Sequence, residues 1–309
     1  MKLRILFSSV ALLLIPFSMN AATVSPATLD LQASKGETIS STFTVINTSA
    51  AEQKYFLDTL GFKPHDESGT PQFLEKDKSS AFTKWIQFSS EQITVPARSK
   101  VDVPFEIIVP SDVAAGNQEV AITISSAPSD IVATNGAIIE AKTALLVFLT
   151  IKGETIKQAA LLDFIDSVGS NARSELSGNF SYRIQNQGNV YAIPVGTIQF
   201  KDLFGRVLLK MDANEMKGRI LPGSTRKFEV RVDVKQNGLL DQIKNQMQTF
   251  AIGPITSELS IELGDGFEPI YAQTTFWYVP YQMIGAILFD LLCLFLLYHL
   301  FSKTVTKKH

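Results

Sequence analysis

The chain is poor in the residues from which reactive centres are built. It has one cysteine and three histidines in 309 residues. The cysteine, Cys293, lies inside an apolar stretch near the C-terminus. The remainder therefore has no disulfide, no thiolate metal site and no cysteine nucleophile. Only His65 precedes that stretch, which leaves little for a histidine metal site or a Ser-His-Asp triad. Charge bias is lacking too: 28 Lys and Arg against 30 Asp and Glu give a net charge of −2, so no basic face is expected and no nucleic-acid partner. No P-loop, GxGxxG or GxSxG motif occurs, and nothing supplies an activated nucleophile or a paired general acid and base. These absences lead to the expectation of a protein that is not an enzyme, with no catalytic, cofactor-binding or metal residue.

What is present begins with two apolar runs. Tyr281 to Phe301 contains twelve Leu, Ile or Phe residues and one formal charge, Asp290, besides His299. At about 1.5 Å per residue it is roughly 30 Å long, enough for a bilayer core. Its apolar residues, at about −0.3 to −0.6 kcal/mol each, outweigh the roughly +3 kcal/mol of a central Asp. The reading is a transmembrane helix over 279–301 with a basic cytoplasmic tail, 302–309. The second run, Ile5 to Phe17, follows Lys2 and Arg4 and ends at small Ala21 and Ala22, as a signal peptide over 1–22 would. An uncleaved signal anchor is the alternative.

Orientation follows from charge. Lys303, Lys307 and Lys308 follow the span, whereas no Lys or Arg occurs between Asn245 and Gln282. Positive charge stays cytoplasmic, which predicts a single-pass protein of the cell membrane with its ectodomain outside, at a cell surface or in a periplasm. Phe276, Trp277, Tyr278 and Tyr281 read as outer membrane-interface anchors. Asp290 shares a helix face with Ala286 and Cys293, whose small side chains permit close approach. These three are candidates for contact with another membrane helix; the alternative is a protonated Asp290 tolerated among leucines.

Between the runs, short segments alternate with period two. Ile39 to Ile46, Val101 to Val109, Glu119 to Ser125 and Ala144 to Ile151 read as strands of an antiparallel sandwich. The pattern then recurs. Gly178 to Gln185 repeats the alternation of Ile39 to Ile46, and Asn186-Gln187-Gly188 ends it as Asn47-Thr48-Ser49 ends the first. The turn Ile93 to Lys100, before VDVPFEI, has a counterpart in Arg219 to Arg226, before KFEVRV. The expectation is all-β: two tandem immunoglobulin-like sandwiches, 23–154 and 155–278, plus the C-terminal helix. Gly238 to Phe250 departs from this, with Leu239, Leu240, Ile243 and Met247 at helical spacing, a short helix or a flexible insertion.

Several residues invite sharper readings that their surroundings weaken. His65, Asp66 and Glu67 form one histidine beside two carboxylates, a solvated loop rather than a zinc site. Asp163 and Asp166 lack the further oxygen ligands and glycine-bearing loop of a calcium site, and are expected at the surface. Trp85 fits a sandwich core. Asn47-Thr48-Ser49 fits a glycosylation sequon but serves equally as a strand-end turn. Leu221-Pro222-Gly223-Ser224-Thr225 departs from a sortase signal and lies far from the span.

The segment VSPATLDLQASKGETISSTFTVINTS resembles the opening of bacterial WxL-interacting proteins and related PapD-like immunoglobulin folds. The matching elements are Ser25-Pro26, Lys35-Gly36-Glu37, Asn47, Trp85-Ile86, Val103-Pro104-Phe105, Val109-Pro110 and Gly116. The second half is similar through Asn186 to Asn189, Phe204-Gly205 and Leu221 to Ser224. The resemblance implies binding of peptidoglycan or protein ligands at the cell surface. Its matched positions are turns and core residues, so it carries over no ligand contact. A membrane-anchored binding or scaffolding protein with a cell-wall or surface-protein partner is thus the leading expectation. A PapD-like chaperone or assembly factor using an exposed sheet edge is the alternative.

Overall fold

In the computed structural model, residues 22–78, 80–127, 142–168, 172–233 and 238–306 are described. Residues 1–21 of the expected signal peptide and 307–309 of the expected basic tail lie outside them. The chain forms two compact units. One comprises Met1–Gly61, Leu74–Asp112 and Glu119–Leu149, the other Phe62–Phe73, Val113–Gln118 and Thr150–His309.

The first unit is a sandwich of two sheets. Its strands are β1 (Thr23–Ser25), β2 (Thr28–Ala33), β3 (Thr38–Ile46) and β4 (Gln53–Leu60). The hairpin of β5 (Phe62–Pro64) and β6 (Pro71–Phe73) belongs to the other unit, and the first resumes with β7 (Ile86–Phe88), β8 (Gln92–Val95) and β9 (Lys100–Ile108). Strands β10 (Gly116–Ser125) and β11 (Lys142–Ile151) complete it. One sheet has the order β1-β3-β9-β7 and the other β2-β11-β10-β4-β8. The first edge strand is thus divided, β1 going to one sheet and β2 to the other, with a cis Ser25–Pro26 bond at the break. Alternation does the packing: Phe43 and Val45 of β3 and Val103, Phe105 and Ile107 of β9 point inward, and Thr42, Thr44 and Asp102 outward. Ile122, Ile124, Leu145, Val147 and Leu149 face them from the second sheet.

The second unit repeats the plan with β12 (Ala159–Asp166), β13 (Ala172–Arg173), β14 (Gly178–Asn186), β15 (Val195–Lys201) and β16 (Val207–Asp212). Then follow β17 (Thr225–Val232), helix α1 (Leu239–Thr249), β18 (Gly253–Glu262) and β19 (Ile270–Tyr278). Its sheets run β12-β14-β17 and β13-β19-β18-β15-β16. Again the first edge strand divides, and its second piece, β13, pairs in parallel with the last strand, β19. The core is richly aromatic: Phe180 meets Phe200 edge-on at 4.9 Å, and Tyr182 stacks on Phe228 at 4.9 Å.

Two immunoglobulin-like sandwiches are therefore present, as the alternation predicts. The last described element is helix α2 (Tyr281–Thr306). Within it Tyr281–Phe301 is long and apolar enough to cross a membrane, with a mean hydropathy of 2.2.

Two expectations are corrected, for Trp85 and for the interface anchors, and the open alternative at Asn47 is decided for the strand-end turn. Trp85 is not a core strand residue: Ala81–Trp85 winds into a 3-10 turn that buries Phe82 completely and leaves the indole half-buried against it, 5.1 Å between rings. Phe276 and Tyr278 are not interface anchors. The pleat of β19 directs both into the second core, 3% and 1% exposed, and only Trp277 and Tyr281 remain outside. Asn47 cannot carry a glycan while folded, because it is buried and its Nδ2 donates to the carbonyls of Ala51, Val95 and Pro96.

Candidate functional site

The feature that sets the second unit apart is the way α2 joins it. Strand β19 ends at Tyr278 and α2 begins at Tyr281, so only Val279 and Pro280 intervene. Two devices hold this junction. The first is Gln246 of α1, 1% exposed. Its Nε2 donates to the carbonyl of Ser174 at 2.9 Å and to Oε1 of Gln282. Its Oε1 accepts the backbone N–H of Met283 at 2.8 Å, one of the donors that the first turn of a helix leaves unmatched. Gln282 Nε2 in turn donates to Oε1 of Gln242, one turn earlier on α1. A glutamine whose amide satisfies both its own burial and the start of a second helix explains why a polar residue faces inward here.

The second device is Arg173. Its guanidinium pairs with Asp166, donates to the Ser177 carbonyl at 2.9 Å and lies 4.4 Å from the centre of the Phe276 ring. Its carbonyl accepts the N–H of Val279 at 2.7 Å, immediately before α2. Asp166, expected at the surface, is thus half of a buried ion pair, and Asp163 pairs with Arg183 at 2.6 Å. Glu67, expected in a solvated loop, also pairs with Arg183 at 3.2 Å, and its carbonyl accepts the N–H of Lys227 in β17. Asp66 does cap its own turn, accepting from Ser68, which holds its carboxyl below the usual range.

Beyond the junction, α2 presents Ile287 to Phe301 outward, with Leu288, Phe289 and Leu294 each more than half exposed. Asp290 is exposed, and Ala286 and Cys293 on the same face are half-buried. The three residues are brought together by helical spacing. Among the described residues, no group of three or more His, Cys, Asp or Glu converges as a metal site would need. Sequence reasoning missed Gln246 and Arg173. The one available signal was the pair Gln242 and Gln246, one helical turn apart along the flank of the apolar stripe Leu239-Leu240-Ile243-Met247.

Comparison with known proteins finds no family model that matches the chain and no curated protein that matches it. Solved structures do show likeness. The Class 5 fimbriae chaperone CfaA is 14% identical, covers 84% of this chain and 99% of its own, and has a TM-score of 0.39. The Pseudomonas aeruginosa CupB2 chaperone is 11% identical over 81% of this chain and 98% of its own, with a TM-score of 0.36. The E. coli chaperone DraB is also 11% identical, over 82% and 96%, with a TM-score of 0.36. The sandwich architecture itself rests on the strand orders given above.

Proposed function

We propose that this protein is a non-enzymatic, membrane-anchored extracytoplasmic binding protein whose two sandwiches hold a cell-wall or surface-protein partner. The observation that carries this reading is the apolar helix fused without a stalk to a sandwich. Large apolar side chains along α2 have no cover within the described protein, and exposing them to water is unfavourable at about 25 cal/mol per Å². A bilayer removes that cost, and the lysines that follow the span orient the sandwiches outward. Ala286, Asp290 and Cys293 form the face that meets another membrane helix, where a mid-membrane carboxyl finds a polar partner.

The test is made on the full chain in its native cell. Alkaline carbonate should leave it in the membrane pellet. External protease should digest the sandwiches while sparing a C-terminal tag. In-cell crosslinking should then recover a surface protein or peptidoglycan. Release by carbonate, or digestion of the tag on intact cells, would remove the anchor from the reading. Loss of a hydrolytic activity on a point substitution would remove the non-enzymatic role. An Asp290→Leu variant should lose a co-purifying membrane protein; unchanged association would remove the helix face.

A second reading, an assembly factor that holds another protein's strand, is favoured by one observation. Strand β12 is an edge of its sheet and exposes Leu162 and Ile165. The opposite edge, β17, is partly closed where Lys227 donates to Glu67. Crosslinks from β12 to an extended segment of an exported protein would favour this role over scaffolding.

A further inference from the structure

Helix α1 is inverted relative to the usual surface helix. Its one fully buried side chain is Gln246, while Leu239, Leu240 and Met247 are 62%, 81% and 60% exposed. A helix on a soluble domain turns its apolar stripe to the core; this one buries Gln246 and leaves all of its stripe but the half-buried Ile243 exposed. The exposed stripe continues beyond the helix. Phe250 ends α1 in the left-handed conformation, φ +40°, a position where glycine is the low-cost choice. The phenylalanine at that position is 70% exposed, so little of its ring packs on the sandwich in return. Ile252 follows, 64% exposed.

Strand register brings a third element to the same end. Lys201 pairs with Thr256 and Gly253 with Tyr278, so the β15–β16 turn, the start of β18 and the exit of β19 lie together. That turn exposes Leu203 and Phe204, at 66% and 90%. It is tied to α1 by Arg206, whose Nη2 donates to the carbonyls of Thr249 and Phe250 at 3.0 and 2.7 Å. Arg206 is itself held by Asp202 at 3.0 Å, which also accepts the N–H groups of Phe204 and Arg206. The turn is thus built to hold two apolar side chains outward. This is also the end at which β19 runs into α2, to whose first turn α1 is joined through Gln246 and Gln282.

We propose that this end of the second sandwich is a lipid-contacting surface, with α1, Phe250, Ile252 and the Leu203–Phe204 turn seated in the outer leaflet of the bilayer that α2 crosses. The inference rests on the anchored reading of α2. The occupant follows from continuity: a span that begins at Tyr281 enters the membrane beside this surface, and an apolar helix bound to its first turn has the headgroup–acyl boundary as its nearest apolar phase. A helix lying in that boundary buries its apolar face roughly 5–10 Å deep.

Full-length protein with Cys293→Ala, reconstituted into phosphatidylethanolamine–phosphatidylglycerol vesicles, tests this. An environment-sensitive fluorophore is attached in turn through Phe204→Cys, Met247→Cys and Phe250→Cys. Asp265→Cys, in the β18–β19 turn away from this end, is the dry-land control, and Phe295→Cys lies in the span. Lipids brominated near the headgroup should quench the first three probes strongly and the control not at all. Lipids brominated deep in the chain should quench the probe at 295. If 295 is quenched while 204, 247 and 250 are not, the lipid surface is wrong and the anchor stands. If 295 is not quenched either, the anchored reading itself fails. Blue-shifted emission at 204 and 250 without quenching by lipid means that protein, a second copy or another chain, covers the patch, and overturns the proposal.

Discussion

The two sandwiches end their second strand with the same device built from different sequences. In the first, Asn47 donates from Nδ2 to the carbonyls of Ala51 and Val95, and its Oδ1 accepts the N–H of Ser49. In the second, Asn186 donates to Val190 and Ile220 and accepts from Gly188. The backbone N–H of Asn47 donates to Ser99, that of Asn186 to Ser224, both at 2.9 Å. These bonds equate Ser99 with Ser224, and hence Arg98 with Gly223. Both preceding residues are left-handed, at φ 49° and 68°. The prolines of the two turns, Pro96 and Pro222, therefore do not correspond. What is repeated is a buried asparagine and a left-handed turn, and the proline is free to move by one position.

This equivalence breaks most visibly at its centre. Asn47→Ala and Asn186→Ala should each destabilise their own unit by about 3 kcal/mol, since several buried carbonyl and N–H groups lose a partner at about 1 kcal/mol or more each. Calorimetry resolving two transitions checks this; a loss in only one unit would mean that the devices are not equivalent. The units should also part company on pH. Glu119 in β10 of the first unit is pushed up to about 7 by burial. A raised carboxyl means that the fold favours the neutral form, so stability is greatest below about pH 4.5 and falls as pH rises toward about 7. Allowing for the partial exposure of this side chain, about 2 kcal/mol should be lost over that window. Glu119→Gln should abolish the dependence, and a fall of unchanged size in the variant would assign it to another group.

Smaller effects test the turn and the cores. Arg98→Gly should stabilise the first unit by up to about 1 kcal/mol, whereas Gly223→Ala should cost the second about 1 kcal/mol. Opposite signs in urea midpoints are the signature of one shared conformation held by unlike residues. Last, Tyr182 donates its hydroxyl to the Ala213 carbonyl at 2.8 Å, while the buried hydroxyl of Tyr55 finds no partner among the described residues. Tyr182→Phe should cost about 1 kcal/mol and Tyr55→Phe close to nothing.

Sequence reasoning reached the repeat because strands and their end-turns leave a local imprint: alternation, an asparagine, a proline turn. It reached α1 through the spacing of Leu239, Leu240, Ile243 and Met247 for the same reason. It misread Phe276 and Tyr278 because proximity to an apolar run says nothing about pleat; only pairing with β18 decides which face a side chain takes. Trp85 was lost to a 3-10 turn that ends where β7 begins, a change of period too short to read. Gln246 and Arg173 are functional through partners 36 residues or more away or across a parallel two-residue pairing, which no local pattern records.

The short passage from Tyr278 to Tyr281 has a mechanical meaning. A flexible stalk would let a helix spin beneath its domain without consequence. Here Gln246 clasps the first turn of α2 and Arg173 clamps the strand before it, so the coupling is that of a shaft keyed to a wheel. Rotation of the helix about its axis therefore carries the second sandwich with it. Torque applied to that sandwich returns to the face bearing Asp290.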